Sequence, residues 1–156
     1  MPDFSIEKKF SDPVIGLDEV GRGPLAGPVI SCGCYFKNYT IQEDFYNLIG
    51  DSKKLSEKKR TISFKFLKNL KQQDIIDYHL GIATVEEIDR LNILEATKLS
   101  MKRVVDKFNL QSAQLIIDGN FSLNYKSYKE QSVIKGDDKS LSIAAASIIA
   151  KVHRDR

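Results

Sequence analysis

The chain has 156 residues, of which 42% are hydrophobic and 29% are charged, and its formal net charge is +3. These values are typical of one globular domain with a core of its own, and they exclude an intrinsically disordered chain. The N-terminus lacks the apolar run of a signal peptide, and the longest apolar run, residues 143–150, is too short to cross a bilayer. We therefore expect a single cytoplasmic domain over residues 1–156, monomeric and without a membrane partner.

Hydrophobic patterning predicts strands at the start of the chain and a helix after them. The first two strands are predicted over residues 14–18 and 28–36, with a segment rich in glycine and proline between them. Ser56 is a predicted N-cap, because Glu57 and a helical repeat of apolar residues follow it: Ile62, Phe66, Leu67 and Leu70. A third strand is predicted over residues 74–83.

The second half of the chain alternates between helices and strands. Thr84 and Glu87 have the spacing of a capping box and predict a short helix. A longer helix follows, with Leu94, Met101 and Val104 on its inner face. These two helices are predicted over residues 84–90 and 92–108. Two further strands are predicted over residues 114–118 and 132–135. A final helix follows, and its N-cap is either Asp138 or Ser140. This order predicts a mixed sheet covered by helices.

Acidic residues follow the predicted strands at three places. Asp18 and Glu19 end the first strand, Asp118 ends a later one, and Asp137 follows the last. If the strands of Asp18 and Asp118 are parallel neighbours, their carboxylates meet at one edge of the sheet, where ligands of α/β proteins gather. Crowded carboxylates raise one another's pKa unless a cation lies between them. Magnesium takes oxygen ligands, and two such ions about 3.5–4 Å apart can cleave a phosphodiester.

Each acid also has an ordinary structural interpretation. An aspartate at the end of a strand is more often a turn former or a helix cap, and Asp118-Gly119 is a common turn sequence. Asp138 is consistent with a cap or a solvated charge. The joint pattern, rather than any one acid, favours a metal site.

The cysteines and histidines offer no competing site. Cys32 and Cys34 are the only cysteines, and in a strand they point to the same face, which favours two buried, reduced thiols. His79 and His153 have no spacing typical of metal ligands, and no role is assigned to them.

Five stretches of the sequence resemble, in order, the ribonuclease HII family, the type 2 ribonucleases H. The resemblance covers nearly the whole chain. The stretches are GLDEVGRGPLAGPV (16–29), DSKKLSEKKR (51–60), IDRLNILEATKLSM (88–101), LIIDGN (115–120) and KGDDKSLSIAAASIIAKVHRD (135–155).

This resemblance implies a fold and an activity. The fold is the α/β ribonuclease H-like fold, a five-stranded mixed sheet with helices on both faces. The activity is cleavage of the RNA strand of RNA–DNA hybrids, including single ribonucleotides embedded in duplex DNA, with Mn²⁺ or Mg²⁺. Cleavage of this kind leaves 3′-hydroxyl and 5′-phosphate ends.

The resemblance also implies the site residues. The four acids of the family's metal site fall on Asp18, Glu19, Asp118 and Asp137, the last aligned by its KGD sequence, with Asp138 beside it as the alternative. Asp155 is not expected to be a ligand.

Substrate contacts are implied for Gly21, Arg22 and Gly23, whose bare backbone and single guanidinium suit the junction between RNA and DNA. In the second matching stretch, residues 51–60, Ser52 and Lys53 are the residues expected to contact the substrate. Residues 53–71 carry eight basic side chains and one acid, which is typical either of a solvated helix face or of a surface that follows phosphates.

Two departures from the family pattern concern the substrate. Glu95 stands where the family commonly has glutamine, and the sequence ends at Arg156, before a helical stretch that carries a substrate-contacting tyrosine in the family. The alternative function is therefore a hybrid-binding fragment with an intact metal site and little or no catalysis.

Overall fold

The chain forms one five-stranded mixed sheet in a computed structural model, which describes residues 1–21, 27–40, 48–49 and 56–156. The strand order is β3-β2-β1-β4-β5, with the β1–β2 and β2–β3 pairs antiparallel and the β1–β4 and β4–β5 pairs parallel. The strands are β1 (Val14–Val20), β2 (Val29–Phe36), β3 (Ile76–Ala83), β4 (Gln114–Asp118) and β5 (Lys129–Val133). The predicted fold class is confirmed.

Four α-helices accompany the sheet in the described residues: α1 (Glu57–Gln72), α2 (Val85–Leu91), α3 (Ile93–Val105) and α4 (Leu141–Arg154). Short 3-10 turns cover Glu7–Lys9 and Gly136–Asp138. No helix in this part of the chain is long and apolar enough to span a membrane.

The predicted helix caps are present. The Ser56 side chain accepts a hydrogen bond from the Lys59 N–H, and Thr84 forms a complete capping box with Glu87. Of the two candidates for the cap of the last helix, Ser140 is the one that acts, because its hydroxyl oxygen accepts from the Ile143 N–H at 3.1 Å.

Several details differ from the sequence prediction. β1 continues beyond its predicted end at Asp18 to Val20, because residues 19–20 still pair with β2, and β3 begins at Ile76 rather than at residue 74. The last strand is Lys129–Val133 rather than 132–135, because polar residues of an edge strand pair with β4 without any apolar pattern to mark them. The long helix ends at Val105. Leu94 and Ile62, expected on inner faces, are 37% and 51% exposed, since helical spacing does not show how far the surface beneath a helix extends.

Successive side chains along each strand point to opposite faces of the sheet, so the two faces carry different residues. Ile15 and Leu17 of β1 pack with Met101 and Val104 of α3 on one face. Cys32 and Cys34 are buried on the other face, which α1 and α4 cover. Both cysteines are free thiols, and burial raises the pKa of Cys32 well above its usual range, so the prediction of two buried thiols is confirmed.

Candidate active site

Asp18 and Asp118 lie side by side at one edge of the sheet. The parallel register pairs Leu17 with Ile117, so the next residue of each strand is one of the two acids. Asp18 is only 5% exposed, and Asp118 is close enough for its negative charge to raise the pKa of Asp18. The predicted convergence of the Asp18 and Asp118 carboxylates is therefore present in the structure, although β1 continues past Asp18 to Val20.

The closeness of these carboxyl groups is electrostatically unfavourable when both are ionised. Burial raises the pKa of Asp18 well above its usual range, and the negative charges of Asp118 and Glu19 raise it further. A buried pair of this kind shares a proton or neutralises its charge with a cation. Raised carboxyl pKa values of this origin are typical of functional sites.

Two backbone N–H groups fix the orientation of the pair. The Glu19 N–H donates to Asp18 Oδ1 at 2.8 Å, and the Gly136 N–H donates to Asp118 Oδ1 at 2.6 Å. The second bond connects the end of β4 to the turn that precedes α4. It therefore places residues 136–138 next to Asp118.

Asp137 lies within this turn and is 5% exposed. The neighbouring Asp138 is exposed. The turn leaves no room for a side chain at Gly136, where a Cβ would lie 2.6 Å from Ile143 Cδ1 and 3.2 Å from Asp118 Oδ1. Of the two acids between which the sequence left a choice, the turn directs Asp137 inward.

Glu19 is partly buried beside Asp18, close enough for its charge to raise the Asp18 pKa. Within the described residues, however, no three Asp, Glu, His or Cys side chains converge on one point as the ligands of a single ion do. The structure thus brings Asp18 and Asp118 close together. It places Glu19 next to Asp18 in β1, and Asp137 in the turn beside Asp118, without forming a closed ligand set.

Gly21 is the predicted substrate-binding residue whose conformation the structure describes. It has φ +103°, and a Cβ there would lie 2.6 Å from the Pro28 carbonyl oxygen. Glycine alone adopts this conformation without strain. The other predicted contacts, Arg22, Gly23, Ser52 and Lys53, lie outside the described residues.

The basic residues of α1 fall into two groups. Arg60 donates to Asp155 Oδ2 at 3.1 Å, and Lys71 donates to the Tyr78 carbonyl oxygen at 2.6 Å, so these two cations stabilise the fold. The exposed basic side chains of this helix are Lys58, Lys59, Lys65 and Lys68. Among the described residues of the basic block, these four lysines are the ones available to phosphates.

Sequence reasoning missed one buried acid near the site. Glu7 is fully buried, and its Oε2 accepts from the Ser140 hydroxyl at 2.9 Å and from the Ser142 N–H at 3.0 Å. In the sequence it precedes two lysines in a charged segment, which is typical of a surface residue. Its partners lie more than 130 residues away along the chain, so no local pattern marks it.

Comparison with known proteins identifies the family of the chain. The family model described as Ribonuclease HII matches residues 15–156. The chain belongs to the ribonuclease HII family. Members of this family are metal-dependent endoribonucleases, and the chain is an enzyme of that class.

Relatives and solved structures extend the match. Ribonuclease HII of Wolbachia pipientis subsp. Culex pipiens (strain wPip) is 46% identical over 99% of this chain and 74% of its own length. The crystal structure of ribonuclease H2 from Pyrococcus horikoshii OT3 has a TM-score of 0.74 at 27% identity, over 92% of this chain and 72% of that one. Bst-RNase HIII in complex with Mn²⁺ is similar in fold, with a TM-score of 0.65 at 21% identity, over 92% of this chain and 52% of that one.

The donor set in this ribonuclease HII family member fits a hard divalent cation. Asp18, Glu19, Asp118 and Asp137 offer only carboxylate oxygens, which are the ligands that Mg²⁺ and Mn²⁺ prefer. The neighbouring Asp18 and Asp118 carboxylates supply negative charge that such an ion would neutralise.

Proposed function

We propose that the chain hydrolyses the RNA strand of RNA–DNA hybrids, including single ribonucleotides embedded in duplex DNA. The products are 3′-hydroxyl and 5′-phosphate ends. The cofactor is a pair of Mn²⁺ or Mg²⁺ ions, and the ligands are Asp18, Glu19, Asp118 and Asp137. The observation that carries the proposal is the closeness of the buried Asp18 to Asp118 on the neighbouring parallel strands β1 and β4, in a chain of the ribonuclease HII family.

The four acids have different tasks in this proposal. Asp18 and Asp118 are held by backbone N–H groups and form the rigid centre of the ligand set. Glu19 and Asp137 complete it from the strand end and from the turn before α4. When bound, divalent cations supply the positive charge that lowers the pKa of an attacking water and stabilises the leaving oxygen.

Recognition of the substrate is assigned to a second group of residues. Gly21, Arg22 and Gly23 would approach the junction between ribose and deoxyribose, where the 2′-hydroxyl distinguishes RNA from DNA. Ser52 and Lys53 would contact the phosphates. The exposed lysines of α1 add a positive surface whose contribution falls as the salt concentration rises.

The test compares matched substitutions at neighbouring acids. Asp18→Asn, Asp118→Asn and Asp137→Asn should each lower kcat on a labelled RNA–DNA hybrid by at least about 100-fold, because each amide removes charge from the metal ligands. Asp138→Asn is the control, since Asp138 is exposed on the same turn as Asp137. Turnover is measured with Mg²⁺ and with Mn²⁺, and hybrid affinity is measured without divalent metal.

The expected result is loss of turnover in the first three variants with hybrid affinity retained, because phosphate binding depends on lysine and arginine. Substantial turnover by Asp18→Asn or Asp118→Asn at millimolar metal would refute the ligand assignment. Wild-type protein that binds the hybrid without cleaving it would instead identify a binding module.

A further inference from the structure

The N-terminal segment of the chain holds the start of α4 through backbone hydrogen bonds. The Asp3 N–H donates to the Lys139 carbonyl oxygen at 3.3 Å, and the Leu141 N–H donates to the Asp3 carbonyl oxygen at 3.0 Å. These bonds form an isolated parallel bridge between Asp3 and Ser140. The segment therefore fixes the point at which the site-bearing turn becomes helix α4.

Glu7 adds a buried carboxylate to this attachment. The side chain has no exposed surface, and one of its oxygens accepts from both the Ser140 hydroxyl and the Ser142 N–H. A buried carboxylate is costly unless it is hydrogen-bonded, and the N-terminus of a helix favours negative charge. Glu7 therefore binds the first turn of α4 in one defined position.

A continuous set of hydrogen bonds leads from Glu7 to the site. Ser140 accepts from Ile143 and donates its own N–H to the Gly136 carbonyl oxygen at 2.7 Å. The Gly136 N–H in turn donates to Asp118 Oδ1 at 2.6 Å. Asp137 lies between these two anchored points, so its position depends on both.

We propose that Glu7 is a positioning residue for the metal site. It anchors the turn Gly136–Asp138 through Ser140, and the turn then holds Asp137 and orients Asp118. This inference rests on the proposed function, because it assigns Asp118 and Asp137 as ligands. Glu7 itself lies outside the segment that matches the family model, residues 15–156.

Two substitutions at Glu7 separate geometry from charge. Glu7→Ala removes both hydrogen bonds and should weaken Mn²⁺ binding about 10-fold to 100-fold, as the loss of groups that orient metal ligands does. Glu7→Gln keeps an oxygen that accepts both bonds, so Mn²⁺ affinity should stay within about fivefold of wild type. Binding is measured by calorimetry with Mn²⁺ alone, and kcat and KM are measured on an RNA–DNA hybrid. In Glu7→Ala, kcat should fall while KM is unchanged.

The control is Glu87→Ala, which removes a capping box and an ion pair on α2. It should lower the melting temperature without changing Mn²⁺ affinity. If Glu7→Ala does not fold, Ser140→Ala decides the question, because it removes the hydroxyl that Glu7 accepts from and should also weaken Mn²⁺ binding. Wild-type Mn²⁺ affinity in Glu7→Ala, or in Ser140→Ala where the former does not fold, would overturn the proposal. Wild-type protein without affinity for Mn²⁺ would overturn the proposed function as well.

Discussion

Gly16 of β1 lies directly against Ser142 in the first turn of α4. A Cβ at Gly16 would be 2.6 Å from the Ser142 carbonyl carbon and 2.7 Å from the Ile143 nitrogen. Backbone atoms of a buried helix cannot move aside as a flexible side chain does. The absence of a side chain at Gly16 thus sets the distance between α4 and the strand that carries Asp18.

Gly16→Ala should therefore destabilise the fold and displace α4. Forced overpacking of this kind costs about 1–3 kcal/mol in the free energy of unfolding. The melting temperature should fall by about 2–4 °C for each kcal/mol lost. Gly27→Ala is the matched control, because no described residue other than its chain neighbours places an atom within 4 Å of a Cβ built at Gly27. Equal melting temperatures for the two variants would contradict the packing argument.

Asp18→Asn should have opposite effects on stability with and without metal. Without divalent metal, the substitution removes a buried carboxyl group. Its burial and two neighbouring negative charges make ionisation of that group unfavourable. The asparagine side chain keeps an oxygen that can accept from the Glu19 N–H. The metal-free variant should therefore melt at or above the wild-type temperature. Addition of Mn²⁺ should raise the melting temperature of the wild type and leave the variant unchanged. A metal-free variant that melts well below wild type would show that Asp18 is required for the fold.

The sequence was sufficient to place Asp18 and Asp118 together, because each directly follows an apolar run and parallel neighbouring strands bring such positions to the same side of the sheet. It could not decide between Asp137 and Asp138, since only the 3-10 turn shows which side chain is buried. Glu7 was out of reach for a different reason. Its hydrogen-bond partners come from the far end of the chain, and the hydrophobic pattern of the sequence does not indicate contacts between such distant segments.

Arg22→Ala should reduce cleavage at a single ribonucleotide in duplex DNA more than cleavage of a long hybrid. The flanking glycines favour a residue that reads the junction rather than one that only binds phosphate. Arg22 lies outside the described residues, so this prediction depends on the family resemblance. The measurement is kcat/KM on both substrates under identical metal and salt conditions. Equal losses on the two substrates would make Arg22 a general backbone contact.

The ion pair between Glu87 and Arg103 should make stability depend on pH in the acid range. Hydrogen bonds from Arg103 and from the Thr84 N–H lower the pKa of Glu87 from 4.5 to about 2. Because the folded pKa is the lower one, the stabilisation is complete above pH 4.5 and is lost as the pH falls toward 2. Glu87→Gln should therefore be less stable than wild type at neutral pH, and the difference should shrink across this interval. A difference that is constant with pH would assign the effect to packing.

Three basic side chains cover the outer edge of β3, the last strand on that side of the described sheet. Lys71, Lys107 and Arg103 donate to alternate carbonyl oxygens, those of Tyr78, Leu80 and Ile82. An uncovered edge strand is a template for pairing with another chain, and lysine is a common means of preventing it.

The double substitution Lys71→Ala with Lys107→Ala should therefore cause concentration-dependent self-association while the circular dichroism of dilute protein stays unchanged. Sedimentation velocity over a range of protein concentrations is the measurement. The control is Lys58→Ala with Lys68→Ala, which removes the same charge from exposed positions on α1. If the control pair associates equally, the cause is the lower net charge, and the covering of the β3 edge is not what keeps the chains apart.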